Sequence, residues 1–142
     1  MQRNNEYSFG GKVRFSEIDH TEKMTLPSMI NYFQDCSTFQ SELLGLGVDY
    51  LKEHQRAWVL SAWQVEVVRY PKIAEEISVH TWASGFKGMF GDRNFCIKDK
   101  EGNMVAYAHS LWVYMDMKKG RPVKPSAVSY THLEPTRHLR IS

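Results

Sequence analysis

The 142-residue sequence predicts an α+β domain in which one antiparallel sheet wraps around one long helix. Three observations carry that prediction. The stretch from Thr25 to Leu44 has apolar residues at helical spacing over several turns. Most of the chain after it alternates apolar and polar residues with the period of a strand. No second long helical stretch separates those strands, so the βαβ crossovers of a parallel sheet are missing.

The helix reads TLPSMINYFQDCSTFQSELL. Met29, Phe33, Cys36 and Leu43 make its apolar stripe, with Tyr32, Phe39 and Leu44 beside them. Thr25 is the expected N-cap, because its hydroxyl can accept from an orphan amide of the first turn. Pro27 suits that first turn, where a missing N–H costs nothing. Gly45 and Gly47 supply the stop. Before the helix, Glu6 to Ile18 reads as a first strand broken at Gly10-Gly11, with Val13 and Phe15 on one face. After it, Val48 to His54 forms one short extra turn.

Four strand runs then follow in order. Ala57 to Tyr70 is rich in Val and Trp, with Val59, Trp63, Val65 and Val67 assigned to one face. Ile77 to Ala83 and Asp92 to Lys98 alternate cleanly. Met104 to Met115 is the last, with Val105, Tyr107, Leu111 and Val113 assigned to one face. Arg121 to Pro125 is too proline-rich for a central strand. One helix wrapped by such a sheet is the hotdog architecture, and the domain is expected to span residues 1–125.

Composition bounds the function. A formal charge of +2 is nearly balanced, and no basic run is interleaved with aromatics, so nucleic acid is not an expected partner. No apolar run reaches the length that spans a bilayer, and the start MQRNNEYSFGG lacks a signal-peptide core, so a cytoplasmic protein away from membranes is expected. Cys36 and Cys96 are far apart and read as reduced thiols, Cys36 as a small core residue.

The six histidines are scattered without ligand spacing, so no metal site is expected. GxSxG, GxGxxG and P-loop patterns are absent, and Ser28 has no assignable His or Asp partner. The remaining catalytic candidate is Asp19, with Glu17 at the same strand parity. A carboxylate just before a helix N-terminus could activate water or attack a carbonyl, while amides of the first turn hold the oxyanion. The alternative is a carboxylate that only caps or solvates a loop.

The run Val13-Arg14-Phe15-Ser16-Glu17-Ile18-Asp19, followed by Asn31-Tyr32-Phe33-Gln34-Asp35, resembles the start of the acyl-acyl-carrier-protein thioesterase family. The likeness continues through Tyr50-Leu51-Lys52-Glu53, Trp58-Val59-Leu60, Arg69-Tyr70-Pro71, Thr81-Trp82 and Gly120-Arg121-Pro122-Val123. This resemblance implies a hotdog fold, hydrolysis of a fatty acyl thioester on acyl carrier protein, and neither metal nor organic cofactor. It also implies a pair of hotdogs, of which this chain resembles the first. The family's Asp-x-Asn-x-His pattern belongs to the second hotdog; at the matching place here stand Asp19, Thr21 and Lys23. Asp19 also matches the catalytic aspartate of single-hotdog acyl-CoA thioesterases, so coenzyme A is the alternative carrier. In the family the first hotdog shapes the acyl pocket, which makes Met29, Phe33, Phe39 and Trp63 candidate substrate-binding walls. Ordinary core positions are the alternative for each.

Three function classes follow: a thioesterase, whole or as an N-terminal half; a non-catalytic acyl-binding hotdog; and a hotdog dehydratase, disfavoured because its helix-proximal histidine motif is absent. A lone hotdog leaves an unpaired sheet edge, so a homodimer is expected where no second hotdog covers it. Residues 126–142 lose apolar periodicity and are expected to form a poorly ordered tail. Val128 to Leu133 matches one reading frame of a transposon-end adapter used in sequencing libraries, so that tail is expected to be foreign to the gene.

Overall fold

The computed structural model describes residues 6–125. The expectations for 126–142 lie outside them. Strand β1 (Tyr7–Lys12) leads through a 3-10 turn (Phe15–Glu17) to α1 (Leu26–Leu43), and α2 (Val48–Glu53) follows. Four long strands complete the sheet: β2 (Arg56–Val67), β3 (Glu76–Lys87), β4 (Phe90–Asp99) and β5 (Met104–Asp116). The strand order is β1-β3-β4-β5-β2, all antiparallel, and the two-residue β6 (Arg121–Pro122) pairs with β5. Among the described residues no helix is long and apolar enough to cross a membrane.

α1 forms where its sequence predicts and is capped at both ends. Thr25 Oγ1 accepts from the Ser28 amide at 3.3 Å. At the other end Gly45 takes φ 74°, and the Leu46 and Gly45 amides close onto the Ser41 and Glu42 carbonyls at 2.9 and 3.1 Å. That is a Schellman stop, which a Cβ at Gly45 would strain. The helix buries Met29, Tyr32, Phe33 and Cys36 against the concave face of the sheet. Phe33 lies 5.2 Å from the Phe95 ring and 6.1 Å from Trp63. The expected stripe does not run the full helix. Leu43 is 74 % exposed, whereas Gln40 is buried and accepts from Arg93.

Three strand assignments differ from the sequence reading, each for a physical reason. The first strand ends at Lys12, because the Arg14 amide donates to the Glu17 carboxylate at 2.8 Å and winds the chain into the 3-10 turn. In β2 the register shifts between Leu60 and Ala62. This bulge reverses the side-chain parity, so Trp58 is partly buried, Val59 is exposed, and Trp63, Val65 and Val67 point back to the core. In β5 the buried set at one parity is Ala106, Ala108, Ser110, Tyr114 and Asp116, while Tyr107 is exposed. Val105 is buried beside an irregularity opposite Ile97 and Lys98. A single extra residue moves every later side chain to the other face, and alternation alone cannot locate it.

The two packing classes should separate in urea unfolding. Phe33→Ala should cost about 3–5 kcal/mol, the range for deleting a buried aromatic. Val59→Lys should stay within about 0.5 kcal/mol, as expected of an exposed position; a large loss there would restore the uninterrupted parity.

Candidate functional site

The apolar stripe of α1 stops short of the helix end, and the sheet curves away beneath it. Between them lies a cavity of about 440 Å³. Its helical wall is the polar flank of α1, with Gln34, Ser37, Thr38 and Ser41. Val48 and Leu51 of α2 close a second side. The sheet contributes Trp58, Ala83, Phe86 and Trp112, with Arg93 among them. A shallower hollow beside it shares Val48, Leu51 and Arg56 with the cavity and adds Met117. α2 thus stands between the two.

Each wall residue is set by its element. Trp58 faces inward because the bulge lies after it, and its ring lies 5.7 Å from Phe86 and 4.6 Å from Tyr114. A Cβ on Gly91 would come within 3.1 Å of the Phe86 ring and 3.3 Å of Trp58, so glycine lets these aromatics close over β4. Glu42 caps the first turn of α2 through the Val48 amide at 2.8 Å.

Arg93 gives the cavity its polar character. It is only 8 % exposed, and its Nη1 donates to Gln40 Oε1 at 2.6 Å and to Thr81 Oγ1 at 3.1 Å. No carboxylate pairs with it among the described residues. Burial lowers its pKa to about 10, which still leaves a cation at neutral pH. Arg56, the other guanidinium on the wall, lies 3.5 Å from Asp116 and is neutralised.

Asp19 lies elsewhere. It is exposed in the loop before α1, with its Oδ1 accepting from the Thr21 amide at 2.9 Å and from the Thr21 hydroxyl. Those two bonds hold its carboxyl below the ordinary value of 3.8, so it is ionised at neutral pH. Glu17 is committed differently. Its Oε1 accepts from the Arg14 amide and, at 2.9 Å, from the Tyr32 hydroxyl, tying the loop to α1. Burial, reinforced by Glu17, pushes the Tyr32 hydroxyl up to about 12.

The structure does not gather the sequence-derived candidates around the cavity. Asp19, Met29, Phe33, Phe39 and Trp63 are all absent from its lining. Met29 and Phe33 are fully buried in the core, and Trp63 packs on that core. Phe39 is 44 % exposed and meets Phe9 edge-on at 5.3 Å. Sequence reading missed Trp58, Phe86, Arg93 and Trp112. For Arg93 the available signal was an arginine at the same parity as Phe95 and Ile97 in β4, on the face buried against the helix.

A long helix embraced by an antiparallel sheet, with a cavity between its far half and the sheet, is a hotdog domain. The acyl-ACP thioesterase N-terminal domain family matches residues 4–128, and the chain belongs to that family. It is 31 % identical over 118 residues to the chloroplastic acyl-(acyl-carrier-protein) hydrolase FATB3 of Cuphea viscosissima, covering 77 % of this chain and 28 % of that protein. It superposes on an acyl-ACP thioesterase from Bacteroides thetaiotaomicron with a TM-score of 0.82 at 28 % identity, covering 98 % of this chain and 58 % of that one. The chain therefore spans under a third of the plant relative and little more than half of the bacterial one. The 1,4-dihydroxy-2-naphthoyl-CoA thioesterase of Synechocystis shares the fold, with a TM-score of 0.82 at 9 % identity over 90 % of this chain and 95 % of that one.

The Thr21 bonds give Asp19 a testable signature. Thr21→Val should raise the Asp19 pKa toward its ordinary value, read by carboxyl NMR titration. Because the wild-type value is depressed, the stabilisation tied to it is present above the unfolded carboxyl's pKa. It is lost as pH falls through the folded value, so the two proteins should converge in stability on acidification below that value.

Proposed function

We propose that this chain supplies the acyl-binding hotdog of a thioesterase that hydrolyses fatty acyl chains carried on acyl carrier protein, in fatty acid biosynthesis. The observation that carries this reading is the cavity between α1, α2 and the concave sheet, with Leu51, Trp58, Phe86 and Trp112 as its apolar walls. A concave, mostly apolar site with a few polar groups is what a lipophilic chain requires. Phe33 lies one helical turn before Ser37 and touches Trp63, so this pair would form the stop that a longer chain meets. Met29 lies farther along the core and would matter only for chains that displace side chains there.

Asp19 is the proposed catalytic carboxylate, acting on the thioester as base or nucleophile. Its cavity partner is not the one in its own unit. The helical wall of that cavity begins at Gln34, eight residues beyond Leu26, about 12 Å along the axis at 1.5 Å per residue. Asp19 would therefore serve a cavity in a second unit. Among the described residues β1 and β2 are the edges of the sheet, and β2 offers 12 residues for pairing. A second hotdog or a second copy of this chain is the proposed partner there, with coenzyme A thioesters as the alternative substrates.

The test is direct. Acyl-carrier and acyl-CoA thioesters over a series of chain lengths should perturb the fluorescence of Trp58 and Trp112. They should release free thiol if the chain is catalytic, and Asp19→Asn should then slow release at least about tenfold without changing binding. Binding without product would make the chain an acyl-binding module. Neither binding nor product at any length would end the reading.

Self-association follows from the same edge. Light scattering of the purified chain at micromolar concentration should give twice the monomer mass, and a monomer alone would count against pairing through β2.

A further inference from the structure

The convex face of the sheet carries a constellation that the cavity does not use. On β3, Ile77, Val79 and Thr81 are buried toward α1, so Ser78 and His80 share the opposite face, two residues apart. Ser78 Oγ lies 2.8 Å from His80 Nε2, and His80 Nδ1 lies 2.9 Å from Glu6 Oε2. The His80 and Glu6 side chains are only 15 % and 12 % exposed. Glu6 sits just before β1, which pairs beside β3 through Ser8↔His80.

We propose that Ser78, His80 and Glu6 form an acyl-transfer site, with Ser78 as nucleophile, His80 as base and Glu6 as the group that orients the ring. The hydrogen bonds set the tautomer. A carboxylate can only accept, so Nδ1 carries the proton toward Glu6, and Nε2 is left to accept from the Ser78 hydroxyl. Two cross-strand neighbours complete the surroundings. Gly10 stands opposite Ser78 on β1 and leaves no side chain over the hydroxyl. Lys98 stands opposite Ser78 on β4, on the same face, with no carboxylate partner among the described residues. Directly opposed residues have Cβ atoms about 4.5–5.5 Å apart, which places an ammonium group within reach of an oxyanion formed at Ser78.

The fitting substrate is a small activated acyl ester or thioester that approaches an open surface. Ser78 Oγ adds to the carbonyl carbon as its proton passes to His80 Nε2. The tetrahedral adduct collapses, the carbon–oxygen or carbon–sulfur bond to the leaving group breaks, and the leaving group takes the proton from His80. Water then repeats the sequence on the Ser78 ester, releasing the carboxylic acid and restoring the hydroxyl. This chemistry is independent of the cavity and of Asp19.

A serine-directed fluorophosphonate probe tests it on the whole chain, with the adduct located by peptide mass mapping. The expected result is one adduct at Ser78, absent in Ser78→Ala and formed at least about a hundredfold more slowly in His80→Gln, with both variants retaining the wild-type circular dichroism spectrum. Lys98→Met should slow labelling as well. An unlabelled Ser78 in folded wild-type protein would overturn the proposal. So would equal labelling of wild type and His80→Gln.

Discussion

The contact on which the rest of this molecule depends is Phe33 lying against Phe95 and Trp63. Their rings are 5.2 and 6.1 Å from Phe33 and 5.4 Å from each other. Among the described residues α1 has no other long helix to pack on, so its apolar flank is covered by the sheet, and the sheet has one concave face to offer. Fixing Phe33 there fixes the rotation of the helix. Met29, Tyr32 and Cys36 are then carried inward, while Gln34, Ser37 and Thr38 are turned to the side. Cys36 becomes a packed thiol. Its Sγ lies 3.6 Å from the Val79 carbonyl, and burial pushes its pKa up to about 12, so it is a poor nucleophile.

The cavity is the consequence of where that packing ends. Beyond Cys36 the helix presents Ser37, Thr38 and Ser41, too small and polar to fill the space above β3 and β4. Gln40 is the exception, drawn inward by the Arg93 guanidinium rather than by apolar contact. A buried cation without a carboxylate is costly, and the amide and hydroxyl oxygens around Nη1 offset only part of that cost. Its position on a cavity wall leaves the remaining N–H groups close to a space that can hold solvent or a ligand.

Much of this fold could be read directly from the residues. The α1 boundaries follow from Thr25, Pro27 and Gly45, and the strands from runs of Val, Trp and Ile between turn residues. The faces of β2 and β5 could not be read in the same way. A bulge between Leu60 and Ala62 leaves no composition signal, because Ser61 is as ordinary in a strand as in a turn. The site was less legible than the fold. Asp19 was recognisable as a carboxylate before a helix, but its Thr21 hydrogen bonds and its distance from the cavity are properties of folded geometry. Trp58 and Trp112 were visible as strand residues and not as walls, since pocket and core share one composition. The pairing of Glu6 with His80 spans 74 positions, and no local pattern predicts it.

On the proposed reading, with Asp19 as the reacting carboxylate, the geometry of α1 also limits what one unit can do alone. Its N-terminal end holds Asp19, Glu17 and the first-turn amides, the groups suited to charge; its C-terminal half borders the apolar cavity. A thioester places its reacting carbonyl at one end of the acyl chain, so carbonyl and chain need a charged end and an apolar channel that meet. Within this unit they are set apart along the helix. Two units related by a two-fold axis perpendicular to α1 would run their helices antiparallel and could bring the charged end of one beside the cavity of the other. A pair of hotdogs would then be the smallest assembly in which this carboxylate and this kind of cavity act on one substrate.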